Sequence, residues 1–183
     1  AHEGYYIPVP ADRNEAQKVV DRFRSVLEDP TVTKVAQNAK YDVMVMANYG
    51  IEVKGQLFDT MIAHYLLHPE LRHGMDYLSE TYLQYRPVSI ETLIGPKGKN
   101  QRNMRDADVN DVKEYSAEDA DITWQLHELF APELKSDQVE GLFNDLEMPL
   151  VNVLAAMERE GIRLDIPALK AFSEELAVDL QRL

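Results

Sequence analysis

The sequence predicts an α/β fold that gives way to an all-helical segment. Short apolar, β-rich runs alternate with helical periodicity through roughly the first 135 residues. Caps and breakers separate those runs. The last 45 or so residues carry helical periodicity alone.

Taken in order, Gly4 to Val9 reads as a short strand ended by Pro10. Asn14 to Leu27 reads as an amphipathic helix with Ala16, Val19, Val20, Phe23 and Leu27 on one side. Asp12 or Asn14 caps it and Pro30 follows its end. Thr33 to Gln37 is β-rich. Asn38 then caps a helix from Ala39 to Tyr49, which Gly50 closes in a left-handed turn. Val53 to Phe58 reads as a second short strand, and Asp59 to Leu67 as a helix that stops before Pro69. Met75 to Leu83 is a further helix. The run from Gly95 to Arg105 is a loop by its Gly, Pro and Asn content. Helix resumes from about Asn110 to Leu134. Ser136 to Glu140 marks a boundary, giving residues 1–136 as one unit and 137–183 as the start of another. Leu142 to Glu160 and Pro167 to Leu183 read as helices, joined by the extended connector Gly161 to Asp165.

Composition narrows the functional classes. The chain has 183 residues, 45% hydrophobic and 28% charged, and no cysteine. These values fit a globular domain with a real core and exclude disulfides and thiolate metal sites. No apolar run has the length of a membrane span, and the start shows no basic-then-apolar leader pattern. A reducing compartment fits. The formal net charge of −13 argues against broad phosphate neutralisation. A local nucleic-acid site in which metal ions supply the positive charge remains compatible with it. The first residue is Ala, as in a processed or excised chain.

One helical face carries the chemical anomaly. Val112, Tyr115, Asp119, Ile122, Leu126 and Leu129 follow i, i+3, i+4 spacing, so that face should be buried. Asp119 lies in its middle, one turn after Tyr115. A carboxylate there must be paired, protonated or bound to a metal. A tyrosine–carboxylate hydrogen bond that locks the helix is the simpler reading. Glu118 and Asp121 fall on other faces and are expected in solvent.

Asp42 lies in the first turn of a helix that leaves a strand through Asn38. The helix dipole alone favours an acid there. Its company raises its interest: Gln37, Asn38 and Tyr41 crowd the carboxyl end of a strand, where ligands bind in open α/β sheets. Two aspartates on separate elements can hold Mg²⁺ or Mn²⁺ through hard oxygen ligands, as phosphodiester cleavage requires.

Lys97, Lys99, Arg102 and Arg105 form the basic island of this acidic chain. The loop is either a phosphate-backbone contact or a solvated turn. It is not a Walker loop, because Asn100 follows the Gly-Lys pair. His64 and His68 have i, i+4 spacing but no zincin glutamate, and Pro69 ends their helix. His73, beside Arg72, is read as a loop contact. No Gly-x-Ser-x-Gly segment supports a serine nucleophile.

Gln-Asn-Ala-Lys-Tyr-Asp at Gln37–Asp42 and Tyr-Ser-Ala-Glu-Asp-Ala-Asp at Tyr115–Asp121 resemble the second and third motifs of the proofreading 3′–5′ exonuclease domain of bacterial family A DNA polymerase I. Ala47-Asn-Tyr-Gly-Ile-Glu, Phe58-Asp-Thr-Met, Arg72-His-Gly-Met-Asp, Lys97-Gly-Lys-Asn-Gln and Glu147-Met-Pro-Leu-Val agree. The last of these resembles the start of that family's polymerase region.

The resemblance implies a ribonuclease-H-like fold and a bacterial cytoplasmic enzyme working on a single-stranded DNA 3′ end with two Mg²⁺ or Mn²⁺ ions. It implies Asp42 and Asp119 as metal ligands, Asp42 through water, and Tyr115 as the residue that positions the attacking water. It also implies Gln37, Asn38, Tyr41 and Arg72 as the grip on DNA, and a covalently linked polymerase domain. The family's first motif, Asp-x-Glu on the central strand, is not found and is expected upstream of Gly4. The expectations that follow are a sheet lacking its first strands and weak or absent nuclease activity in these residues alone. A non-catalytic module supporting a polymerase is the alternative.

Overall fold

The structure is a computed structural model and describes residues 3–182. Residues 3–10 run extended without joining a sheet, so the strand expected at Gly4–Val9 does not form. Its Gly4 instead lies against helix α7 (Val109–Ser136), where an added Cβ would stand 3.0 Å from the Ala117 Cβ.

Helix α1 (Arg13–Asp21) starts at Asp12, whose carboxylate accepts from the Asn14 and Glu15 N–H groups. The single helix expected to Leu27 breaks at Arg22–Phe23 and resumes as the short α2 (Arg24–Leu27).

The sheet has two parallel strands, β1 (Lys34–Ala36) and β2 (Leu57–Asp59). Val35 pairs with Phe58 and Ala36 with Asp59. Helix α3 (Ala39–Asn48) connects them, as a parallel pair requires. Both strands are shorter than their sequence runs. Before β2, Gly55 sits at φ 84°, where a Cβ would come within 2.7 Å of the Val32 carbonyl. The Gln56 carbonyl still accepts from the Lys34 N–H at 2.9 Å, and β2 begins only at Leu57. A disrupted sheet was expected, and two strands are what the described residues contain.

Helix α4 (Thr60–Leu67) leaves β2 directly. The helix expected at Met75–Leu83 is α-helical only as α5 (Met75–Leu78), then widens into a π turn over Ser79–Leu83. A short α6 (Ile90–Ile94), not expected from sequence, precedes the basic loop, which ends in a 3₁₀ turn at Met104–Asp106. Past α7 the chain turns at residues 137–139 into α8 (Glu140–Leu142), a π turn at Phe143–Glu147, α9 (Met148–Glu160) and α10 (Ile166–Leu180).

The core lies where α7 crosses the sheet and α4. Leu57, Phe58, Ala63, Leu78, Ile122, Leu126, Phe130 and Leu134 are all at most 6% exposed. Phe143, Met148 and Val151 belong to the same cluster, so the segments on both sides of residues 136–140 share one core. Helix α7 buries Leu126, Phe130 and Leu134 in successive i+4 steps, while Leu129 is 39% exposed. The face expected to run to Leu129 therefore drifts one residue, following the 3.6-residue period. No helix among the described residues is long and apolar enough to cross a membrane.

Candidate active site

The site is built at the carboxyl ends of the parallel strands, where the turns into α3 and α4 meet. Asn38, between β1 and α3, is left-handed at φ 63°. Asn tolerates that conformation better than most side chains. The expected cap is only partly right: Asn38 is the N-cap by position, but its side chain makes no cap hydrogen bond. A residue from the other strand supplies the acceptor. The carboxylate of Asp59, 1% exposed, accepts from the Asn38 N–H at 3.1 Å and the Ala39 N–H at 2.7 Å. It also caps α4 through the Met61 N–H at 2.9 Å and the Ile62 N–H at 3.4 Å. One buried acid thus fixes the start of both helices. Burial pushes its pKa up against the pull of those four backbone donors.

Helix α3, so anchored, carries Asp42 in its first turn. Asp42, Asp119 and Gln37 line one open cavity of about 380 Å³, together with Val35, Ala36, Met75, Thr123 and Trp124. Much of Asp42 meets solvent at the rim. The cavity walls nevertheless desolvate its carboxyl and Asp59 repels it, and both effects raise its pKa. Asp119 is half-buried, not fully buried as its helical face suggested, and its pKa is raised to about 6. Burial is the main cause. The Tyr115 hydrogen bond opposes it, while Glu118 and Asp76 add negative charge. Tyr115 is also half-buried, and burial with the neighbouring Asp119 lifts its phenol to about 12. At neutral pH that phenol is a donor beside a carboxylate short of positive charge.

The remaining expected residues are distributed around this centre. Gln37 donates to the His73 carbonyl at 2.8 Å and accepts from the Thr60 hydroxyl. Tyr41 is 66% exposed, and Arg72 is exposed on the loop between α4 and α5. Glu118 was expected in solvent and is instead held by the Tyr85 hydroxyl and the Val88 N–H. Asp121 accepts from Gln125. Both ring nitrogens of His64 are engaged, by His73 and Tyr82. His73 is thus a loop contact, made onto the buried His64. A larger cavity, about 700 Å³, opens on another face of α7 between Gly4, Tyr85, Glu118 and Gln125. It contains none of the expected site residues, and its size does not outweigh the convergent acids of the smaller one.

Asp59 and Trp124 are what sequence reasoning missed. Asp59 carried a signal, an acid between an apolar run and a helix; it was read as the helix start and as part of the family-like Phe58-Asp-Thr-Met segment, and given no role in the site. Trp124 and Thr123 follow Asp119 by about one turn and were hidden by reading the face through Ile122. Mg²⁺ or Mn²⁺ fits the donor set in part. Asp42 and Asp119 offer hard oxygens in a cavity that disfavours their charge, yet no three acidic or histidine side chains converge as a metal cluster among the described residues. The tripeptide Asp145-Leu146-Glu147 has Asp-x-Glu spacing, but it lies in the π turn after α8 and not on a strand.

Two parallel strand ends, a helix-borne acid and a tyrosine–aspartate turn on a crossing helix make up this α/β site. The sequence comparison agrees: residues 1–135 match the family described as 3′-5′ exonuclease, and the chain belongs to that family. Its curated relatives include DNA polymerase I of Borreliella burgdorferi, 34% identical over 172 residues, covering 92% of this chain and 18% of the relative. The Rhizobium leguminosarum DNA polymerase I is 39% identical over 88% of this chain and 16% of its own length. The Pseudomonas aeruginosa enzyme is 37% identical over 96% and 19%. The chain thus spans less than a fifth of the length of these relatives. Among solved structures, the POL domain of Pol1 from M. smegmatis, in complex with DNA primer-template and dNTP, superposes with a TM-score of 0.74. It is 23% identical, covering 97% of this chain and 27% of that one, so the likeness is one of fold. The fold is mostly helical α/β, with two parallel strands among the described residues, consistent with an exonuclease-family fold followed by helices.

Proposed function

We propose that these residues are the second- and third-motif portion of a proofreading 3′–5′ exonuclease in a bacterial DNA polymerase I, with residues 137–183 beginning the linked polymerase domain. The reaction is hydrolysis of the 3′-terminal phosphodiester of single-stranded DNA in the intact enzyme, in the bacterial cytoplasm. The observation that carries this reading is the meeting of Asp42 and Asp119, from separate helices, in one cavity with Gln37.

In this proposal Asp42 and Asp119 are the metal ligands, Asp42 through water. Bound Mg²⁺ or Mn²⁺ supplies activation of water and neutralises charge on the leaving oxygen. Tyr115, protonated and beside Asp119, orients the attacking water. Gln37, Asn38, Tyr41 and Arg72 grip the unpaired 3′ end, with Arg72 facing phosphate. The raised pKa values of Asp42 and Asp119 support the assignment, because desolvated acids gain most from a nearby cation. Two carboxylates hold ions loosely, so these 183 residues alone have little or no nuclease activity.

The test is metal-dependent, stepwise shortening of a 5′-labelled single-stranded oligonucleotide from its 3′ end. The intact polymerase should degrade it, and Asp42→Ala or Asp119→Ala in that enzyme should lower the rate about 100-fold or more. Full activity in both variants would contradict the assignment and favour a module that only supports the polymerase. Robust degradation by the 183-residue chain would contradict its inactivity.

A further inference from the structure

His64 lies on α4 with no exposed surface. Its Nδ1 is 2.7 Å from the Nδ1 of His73, and its Nε2 is 2.9 Å from the Tyr82 hydroxyl. His73 follows Arg72 directly, and its carbonyl accepts from the Gln37 side chain at 2.8 Å. Gln37 in turn accepts from Thr60, one turn before His64 on the same helix. The loop of residues 68–74 is therefore tied on one side to the buried face of α4 and on the other to the end of β1. Both ties are made by His73, and Arg72, next to it in the chain, is exposed.

We propose that the His64–His73 hydrogen bond is a latch that holds the 68–74 loop, and with it Arg72, against Gln37 at the end of β1. His64 and His73 are then positioning residues. The functional consequence rests on the reading of Arg72 and Gln37 as the grip on a 3′ end; the latch itself does not.

Proton accounting shows what opens it. At 2.7 Å one proton lies between the two Nδ1 atoms. If His64 donates, its Nε2 accepts from the Tyr82 O–H. If His73 donates, His64 keeps an Nε2–H that donates to the Tyr82 oxygen. Both neutral arrangements are satisfied. Protonation of the His64 Nδ1 while His73 keeps its own Nδ1–H sets N–H against N–H in a closed site.

No carboxylate bonds either ring to absorb that charge. Tyr65 faces the pair from α4 and His68 from just past its end, Tyr82 from the π turn, and apolar Phe130 from α7. Glu133 of α7 and Tyr77 of α5 act on Tyr82 and not on the rings. Burial first, then His73 and His68, hold the His64 pKa down to about 4. The latch is closed at neutral pH and opens as the pH falls towards that value.

The experiment uses the whole chain with ¹⁵N-labelled histidine and glutamine. At pH 7.5, one Nδ1–H of the pair should resonate downfield and exchange with solvent at least about tenfold more slowly than a free imidazole N–H. The Gln37 side-chain amide should shift as the pH falls towards 4. His73→Phe keeps a ring in place and removes Nδ1; it should move the Gln37 amide to its acid-state position already at pH 7.5. His64→Gln, which retains a donor and an acceptor, should restore part of the protection that His64→Leu abolishes. A Gln37 amide indifferent to pH and to His73→Phe in a folded chain overturns the latch.

Anisotropy with a fluorescent oligothymidylate tests the consequence separately. A roughly tenfold weaker Kd in His73→Phe extends the latch to DNA binding. A freed loop with unchanged affinity upholds the latch and refutes the grip assigned to Arg72.

Discussion

Removing the Asp59 carboxylate should cost the chain about 3 kcal/mol of stability. The value follows from four backbone donors. Two, on Met61 and Ile62, cap α4, and losing a side-chain cap costs about 1 kcal/mol. The other two, on Asn38 and Ala39, begin α3. Ala39 is 1% exposed, so its N–H has no access to water once the carboxylate is gone. An unsatisfied buried donor costs about 1–3 kcal/mol, and the more accessible Asn38 N–H costs less. Relief from burying a charge offsets part of the sum. Asp59→Ala should therefore lose about 3 kcal/mol, and Asp59→Asn, which keeps one acceptor oxygen, about 1–2 kcal/mol. Urea unfolding followed by circular dichroism gives both numbers, provided the slope m is unchanged. Amide exchange at Asn38 and Ala39 should accelerate in Asp59→Ala before the rest of the chain responds. A loss below about 0.5 kcal/mol, with those two amides still protected, would refute the view that this acid anchors the site.

Three further outcomes follow from the same geometry. In the folded chain Asp119 titrates at about 6 instead of 3.8, so it retains a proton that the unfolded chain releases between those values. Its contribution to stability is thus greatest below about pH 4 and lost as the pH rises through about 6. Asp119→Asn should stabilise the chain by roughly 1 kcal/mol at pH 8, allowing for the carboxyl's contact with solvent, and have no effect near pH 4; paired urea titrations check the sign. Tyr115→Phe removes the interaction that opposes the shift, so ¹³C titration of Asp119 should give a pKa above that of the parent chain. Phe130→Ala, at a fully buried core position, should lose about 3–5 kcal/mol by urea unfolding while the local contacts around Asp42 persist.

The sequence made the helices legible because their signals are local. Caps at Asp12 and Asp59 and the left-handed Gly50 stand where the chain needs them. Long-range pairing was less legible. Gly4–Val9 has strand composition, yet a strand exists only where another strand accepts its hydrogen bonds, and here the segment rests on Ala117. The inward face of α7 was read correctly through Leu126 and then lost at Leu129, because i+3 and i+4 steps diverge over several turns. At the site, Asp42 and Asp119 were visible as acids in unfavourable places. The third acid that organises them was not. Asp59 works across two strands, and nothing in one strand's sequence announces the other's need for an acceptor. The His64–His73 contact was hidden for the same reason: it requires a loop to fold back over its own helix.

The central claim is that Asp42 and Asp119 form one cation-facing site. Titrating Mn²⁺ into the isotope-labelled chain and following paramagnetic broadening residue by residue tests it most directly. Asp42, Asp119, Gln37 and Trp124 should broaden first and together, at metal concentrations that leave Glu118, Asp121 and the acids of α10 sharp. Asp42→Asn or Asp119→Asn should abolish that preference. Broadening spread evenly over the acidic surface, or centred elsewhere with both variants indifferent, would contradict it.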